Sequence, residues 1–229
     1  MRLDRLLGNL PHGNRRDARL ALAAGHVRVD GATVRDGRLE VREFNRVELD
    51  GQVLQAGKPA RYFMLHKPAG VVSATEHPEH RTVLDLLDEP DRHDLHLAGR
   101  LDLNTTGLVL ITNDGHWSRR LTLPQSEKPK VYLVETEQPI AEEYVETFAR
   151  GLHFRYEDIV TRPAELQILG SHRARLTLHE GRYHQVKRMF GHFRNKVVRL
   201  HRERIGALHL GDLEEGRYRL LTPQEIAAF

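Results

Sequence analysis

The spacing of apolar residues changes character along this chain, and that change limits the folds open to it. Near the start, Leu3, Leu6, Leu7 and Leu10 recur at the i, i+3, i+4, i+7 spacing of a helix with one buried face, and Pro11-His12-Gly13 breaks the pattern. A second helix is predicted after Asn14, a fair N-cap, with Ala18, Ala21 and Leu22 on one face and Gly25 at the C-terminal glycine position. His26-Val27-Arg28-Val29 then alternates, Asp30-Gly31 signals a hairpin, and Thr33-Val34-Arg35 begins the return strand. Residues 1–50 read as helix, helix, hairpin. The stretch 51–60, with Gly57 and Pro59, lacks sustained periodicity and reads as a linker.

Beyond it the spacing turns irregular. Strand-like runs at 62–65, 108–112, 131–136 and 173–179 mix with helical ones at 83–87 and 140–150. The clearest strand is 173–179, with Ala174, Leu176 and Leu178 on one face and polar residues on the other. Strands and helices in no regular alternation argue for an α+β fold with a mainly antiparallel, mixed sheet rather than a doubly wound one. With 229 residues the chain accommodates a small module beside a medium one, and the division predicted is 1–55 and 56–229.

Several chemistries are excluded early. The chain has no Cys, which removes disulfides, thiolate nucleophiles, iron–sulfur clusters and cysteine zinc sites. Its longest apolar stretches, such as Leu108 to Ile111, fall far below the ~18 residues of a membrane span. No signal-peptide core follows Met1-Arg2-Leu3-Asp4-Arg5, so a cytoplasmic location is expected. Neither a dinucleotide-binding G-x-G-x-x-G nor a phosphate-binding G-x-x-x-x-G-K-[ST] occurs, and G-x-S-x-G and H-E-x-x-H are absent too. Fifteen His could in principle join Asp85, Asp88 or Asp94 around a metal, but they are scattered through basic and loop segments, and no metal is expected.

Charge is unevenly spread. Between Arg173 and Arg204 ten Lys/Arg face two acids, whereas residues 61–140 hold nine basic and twelve acidic side chains. A concentrated basic segment that also carries four His, with His172 just before it, suggests a polyanion, most simply a nucleic acid; a solvated charged surface is the alternative. In the N-terminal module Arg15, Arg16, Arg19 and Arg28 form a polar face on a unit too short to bury much apolar surface, which suggests a partner.

One loop draws attention to a carboxylate. Leu97-Ala98-Gly99-Arg100-Leu101-Asp102-Leu103-Asn104-Thr105-Thr106-Gly107 separates a strand containing Leu95 and Leu97 from the apolar run Leu108-Val109-Leu110-Ile111. Such a layout holds Asp102 at a sheet edge, facing either a ligand or, in a structural turn, nearby backbone amides.

Four segments in order carry a resemblance. Gly99-Arg100-Leu101-Asp102 followed by Thr105-Thr106-Gly107-Leu108-Val109-Leu110 resembles the catalytic motif of the RNA pseudouridine synthases. Tyr62-Phe63-Met64-Leu65-His66-Lys67-Pro68-Ala69-Gly70 resembles their Asn-Lys-Pro-x-Gly motif, with His66 where Asn is usual. Lys130-Val131-Tyr132 is similar to their lysine-x-tyrosine strand, and Glu180-Gly181-Arg182-Tyr183-His184-Gln185-Val186-Lys187-Arg188-Met189 to their third motif. The N-terminal pattern Arg2-Leu3-Asp4, Arg15-Arg16-Asp17-Ala18 and Ala24 to Gly31 resembles the αL-type RNA-binding domain. Together these span nearly the whole chain and point to the RsuA-type branch, which acts on 16S ribosomal RNA.

The resemblance implies a reaction and a cast of residues. Uridine becomes pseudouridine when the C1′–N1 glycosidic bond breaks, the uracil turns and C5 rejoins the sugar; no atom is gained or lost, so no cofactor is required. Positive charge develops on the sugar, which a carboxylate can stabilise or trap, and Asp102 takes that role. A nearby cation favours the ionised carboxylate, and the match assigns that cation to Lys187. Tyr132 would stack on the uracil and move a proton late in the reaction, and Val186 would line the apolar side of the pocket. A base must leave its stack to be reached, and Arg100 would fill the gap. Lys67, Arg188 and the basic run would hold the RNA backbone, with Arg15, Arg16, Arg19 and Arg28 gripping a second RNA element. The implied partner is 16S ribosomal RNA or an assembling small ribosomal subunit, bound by a monomer with no membrane attachment. Three alternatives stand beside this reading: a large-subunit ribosomal RNA pseudouridine synthase, a non-catalytic ribosome-assembly factor, and an RNA methyltransferase fused to the same module.

Overall fold

Leu3 and Leu7, one helical turn apart, are both buried in α1 (Leu3–Gly8), and Ala18 and Leu22 anchor α2 (Arg15–Ala24) in the same small core. The computed structural model describes residues 1–11, 13–123 and 126–229; His12, in the predicted helix break, lies outside them. Asn14 Oδ1 caps α2 by accepting from the amides of Arg16 and Asp17 at 2.9 Å each, and Gly25 closes it at φ +80°. Next come β1 (Val27–Val29) and β2 (Ala32–Thr33), joined through Asp30 and Gly31, which both have positive φ as a tight hairpin turn requires. The return strand is shorter than predicted and ends at Thr33.

The putting-together of this unit corrects the linker reading. Asp50-Gly51 repeats the positive-φ turn and joins β3 (Val47–Leu49) to β4 (Gln52–Gln55), completing an antiparallel sheet of order β2-β1-β3-β4. β4 carries few apolar residues and pairs along one edge only, so its order comes from the β3 ladder rather than from its own periodicity. The compact unit accordingly runs from Met1 to Ala60, and the second from Arg61 to Phe229.

The second unit is built on β5 (Tyr62–Lys67), β6 (His96–Leu97), β7 (Thr106–Thr112), α3 (Gly115–Thr122), β8 (Lys130–Thr136) and α4 (Glu143–Arg150). It continues through β9 (His153–Phe154), β10 (Ile159–Val160), β11 (Glu165–Gly170), β12 (Arg173–Leu178) and α5 (Gln185–Gly191). β13 (Val197–Ile205), β14 (Leu208–His209), β15 (Tyr218–Leu220) and α6 (Pro223–Ala227) complete it. The main sheet has the order β11-β12-β8-β13-β7-β5-β15, with β14 beside β13 and β6 beside β7. Its pairs are antiparallel except β13 with β7, giving the mixed, mainly antiparallel sheet expected.

Burial explains the sequence patterns. β5 and β7 are covered on both faces: Phe63, Leu65, Val109 and Ile111 enter one core, and Met64, Leu108 and Leu110 enter another with Trp117. Strands buried on both sides read as continuous apolar runs, as Leu108 to Ile111 does. On β12 the three expected residues, Ala174, Leu176 and Leu178, face the core. The helical reading at 83–87 corresponds to a single 3-10 turn, Val83–Leu86, capped by Thr82 and Asp85. α3, α5 and α6 lie where no helix was predicted, being of eight residues or fewer and too short for their period to stand out. Among the described residues no helix is long and apolar enough to cross a membrane.

Candidate active site

The Asp102 loop leaves β6 and enters β7, and three supports hold it. Ser73 Oγ accepts from the Leu101 amide at 3.0 Å, and the Gly70 amide donates to the Leu103 carbonyl at 3.0 Å. Beneath them Lys67, fully buried, donates from Nζ to the carbonyls of Pro68, Leu103 and Thr105, each at 2.9 Å. Three carbonyls around one ammonium make a brace that ties the segment after β5 to the loop. This corrects the expectation that Lys67 holds the RNA backbone: an ammonium with no exposed surface and three donors engaged has nothing left for phosphate. Burial pushes the Lys67 ammonium down to about 8, against the opposing pull of the Asp102 and Glu215 charges.

β13 reaches the same loop from the other side. Arg202, only 2% exposed, donates from Nε to the Leu108 carbonyl at 2.8 Å and from Nη1 to the Arg100 carbonyl at 3.4 Å. Its backbone pairs with Gly107, where a Cβ would lie 2.3 Å from the Arg202 carbonyl oxygen and 2.6 Å from its nitrogen. Gly107, at φ +111°, is therefore required by the close approach of the parallel pair β13–β7. Arg202 is thus no surface contact for phosphate, as its place in the basic run had suggested.

Above these supports the loop and α5 meet. Lys187 Nζ donates to Asp102 Oδ2 at 2.8 Å, and His184 Nε2 lies 3.4 Å from Oδ1, so each carboxylate oxygen faces a nitrogen. His184 adopts a left-handed conformation at the start of α5, and its ring stacks on Tyr183 at 3.8 Å between centroids. Tyr132, central in β8 and 7% exposed, lines a recess together with Asp102, Thr105, Val186 and Lys187. The recess adjoins a cleft of ≈ 630 Å³ whose walls include Arg100, Asp102, Lys130, Tyr132, Tyr183 and Arg202. Burial, with the Arg202 charge adding to it, holds the Lys130 ammonium below the usual lysine range. A space within the roughly 300–1,000 Å³ range of small-ligand sites, walled by one carboxylate, two tyrosine rings and several cations, suits a planar base on an anionic backbone.

The structure thus brings together Asp102, Tyr132, Lys187, Val186 and Arg100, the last exposed at the rim. Arg188 points elsewhere: both of its Nη atoms donate to the Glu157 carboxylate, Nη1 to Oε1 at 2.6 Å, and the guanidinium lies 3.7 Å from the Phe154 ring centroid. It fastens α5 to the β9–β10 hairpin through Glu157 and Phe154, where the sequence reading had given it an RNA contact. The basic run is likewise not one open patch, because Arg175 pairs with Glu203 and Arg182 with Glu180, while Arg173, Arg194 and Lys196 are exposed. In the first unit Arg15, Arg16, Arg19 and Arg28 are all exposed. Sequence reasoning missed His184 and Thr105 as members of the site, although both stand inside matched segments. It placed Arg202 among surface cations because the exposed Val198 and Arg199 blur the β13 alternation.

Residues 61–192 match the family described as RNA pseudouridylate synthase. The chain is 66% identical, over the full length of both sequences, to a ribosomal small subunit pseudouridine synthase A of Pseudomonas aeruginosa. It is 47% identical to the protein of the same description from Escherichia coli, covering all of this chain and 99% of that one. A solved structure described as a pseudouridylate synthase superposes with a TM-score of 0.72 at 41% identity, covering all of this chain and 99% of the other.

Proposed function

The chain belongs to the RNA pseudouridylate synthase family, and from that premise we propose that it isomerises one uridine of 16S ribosomal RNA to pseudouridine. The observation that carries the proposal is the 2.8 Å pair between Lys187 and Asp102 in a cleft shared with Tyr132. Asp102 meets the sugar carbon as the C1′–N1 bond breaks, and the Lys187 ammonium balances its negative charge before and after. The detached uracil keeps its place against the Tyr132 ring while it turns, then C5 bonds to C1′ as the Asp102 oxygen leaves that carbon and recovers its negative charge. A base takes the proton that C5 carried, with the Tyr132 hydroxyl serving the transfer, and N1, which left with the electron pair of the broken bond, takes up a proton, so the product has the atoms of the substrate. Arg100 fills the gap left in the RNA stack.

The first unit is read as an αL-type RNA-binding module whose exposed Arg15, Arg16, Arg19 and Arg28 grip a second stretch of the RNA, free or within an assembling small subunit. Phosphate contacts of this kind position the protein, while the cleft selects the nucleotide. A cytoplasmic monomer suffices for this chemistry. Mapping pseudouridine across ribosomal RNA from cells lacking the protein tests the proposal. Loss of one site in 16S RNA, restored by the parent gene and not by Asp102→Asn, is expected; an unchanged 16S map, or loss confined to the large-subunit RNA, overturns it.

A further inference from the structure

Among the described residues, two buried side-chain polar atoms have no hydrogen-bond partner, Thr105 Oγ1 and Arg202 Nη2. Both residues line the Asp102 site, Thr105 the narrow recess and Arg202 the wider cleft beside Tyr132. Elsewhere in the described chain buried polar side-chain atoms are satisfied, so the two orphans are concentrated where a ligand is expected. A buried guanidinium with a donor to spare is poorly explained by a bracing role alone, because bonds to Leu108 and Arg100 use only Nε and Nη1.

We propose that Arg202 is a base-reading residue, its Nη2 donating to a ring carbonyl of the uracil held in the cleft. This rests on the proposed reaction and says how the site accepts uracil and rejects cytosine. A half-turn about the N3–C6 axis exchanges N1 with C5 and also O2 with O4. A single fixed donor therefore meets a carbonyl both before and after the base turns, and one residue serves substrate and product. Cytosine carries an amino group at C4, so one of its two orientations sets donor against donor beside a buried cation. Sites that hydrogen-bond a polar group reject analogues lacking it far more strongly than apolar pockets reject a change of size. The position of Arg202 is set tightly enough for this, since its backbone pairs with both Tyr132 and Gly107.

The test uses full-length Asp102→Asn protein, which allows binding without turnover, and stem-loop RNAs bearing the mapped target position as uridine, 2-thiouridine, 4-thiouridine or cytidine. Sulfur is a poor acceptor, so one thio substitution should weaken binding about tenfold: 4-thiouridine together with cytidine where Nη2 faces O4 of the bound base, and 2-thiouridine alone where it faces O2. Adding Arg202→Lys or Arg202→Met should shrink those ratios towards one. A purely structural Arg202 would lower thermal stability and weaken all four RNAs alike, leaving the ratios intact, and that result overturns the proposal. Should neither variant fold, the four affinities on Asp102→Asn alone decide: discrimination supports the proposal and equal binding overturns it. The two readings fail separately, because a parent protein that makes no pseudouridine removes the reaction, whereas an active parent with unmoved ratios removes only the role of Arg202.

Discussion

At the scale of single residues, the site separates groups that act from groups that hold. Asp102→Asn keeps the side-chain shape and removes the charge that faces Lys187, so single-turnover assays should show no product while RNA binding and the melting curve stay close to the parent. Tyr132→Phe keeps the ring in its sheet position and deletes the hydroxyl. Binding should persist and the rate at saturating RNA should fall by about 10²-fold or more, the usual scale for a proton-transfer group. Lys67 is expected to behave differently, because Lys67→Met leaves three carbonyls, that of Thr105 buried and those of Pro68 and Leu103 partly so, without their donor and should cost about 3 kcal/mol or more in urea unfolding. The pH dependence has a definite sign. With the folded value lowered to about 8 and the unfolded one at 10.5, the unfolded chain binds more protons between those limits. The Lys67 contribution to stability is therefore fully present above 10.5 and is lost as pH falls through 8. Parent stability should rise across that window relative to Lys67→Met, and parallel profiles would show that the ammonium is not strained by burial.

At the scale of elements, the decisive contact is the parallel pairing of β13 with β7. It places Arg202 under the Asp102 loop, and it depends on Gly107 having no side chain. Gly107→Ala adds a Cβ at a positive φ and against backbone that cannot swing away. A loss of about 3 kcal/mol or more is expected, together with reduced turnover, in chemical unfolding and in the modification assay run side by side. An alanine variant as stable as the parent would mean that the two strands can part without harm. The hairpin β9–β10 offers a contrasting case. Arg188 ties it to α5 through Glu157 and Phe154 at a partly exposed site, so Glu157→Gln should cost far less than Gly107→Ala in the same unfolding assay.

At the scale of the whole molecule, the two compact units meet in sequence between Ala60 and Arg61. Removing residues 1–60 should leave a folded second unit, since its core clusters draw no residue from before that point. On structured 16S RNA the shortened protein should lose efficiency at low concentration and regain rate when enzyme is abundant, because linked modules gain affinity through effective concentration. Replacing Arg15, Arg16, Arg19 and Arg28 by Gln in the full chain should flatten the salt dependence of binding by about one unit of slope per lost phosphate contact. Equal rates for both lengths at low concentration would show that the first unit does not bind substrate. Read alone, the sequence determined the class of fold, the N-terminal helices with their Asn14 and Gly25 caps and the strand at β7, while the segments around Asp102, Tyr132 and Lys187 stood out through their resemblance to known motifs. Those are local matters: periodicity, turn chemistry and side-chain type are written in neighbouring residues. Only the tertiary structure decided that residues 52–55 form a strand, β4, and that Arg188 serves a hairpin. It also decided that Lys67 and Arg202 are buried supports and not surface cations. Each of these depends on a partner distant in the chain, such as β3 for β4, Glu157 for Arg188, the carbonyls of Leu103 and Thr105 for Lys67 and that of Leu108 for Arg202. A lysine or arginine carries the same charge in the sequence whether water or three carbonyls surround it, and only the packing of remote strands chooses between them.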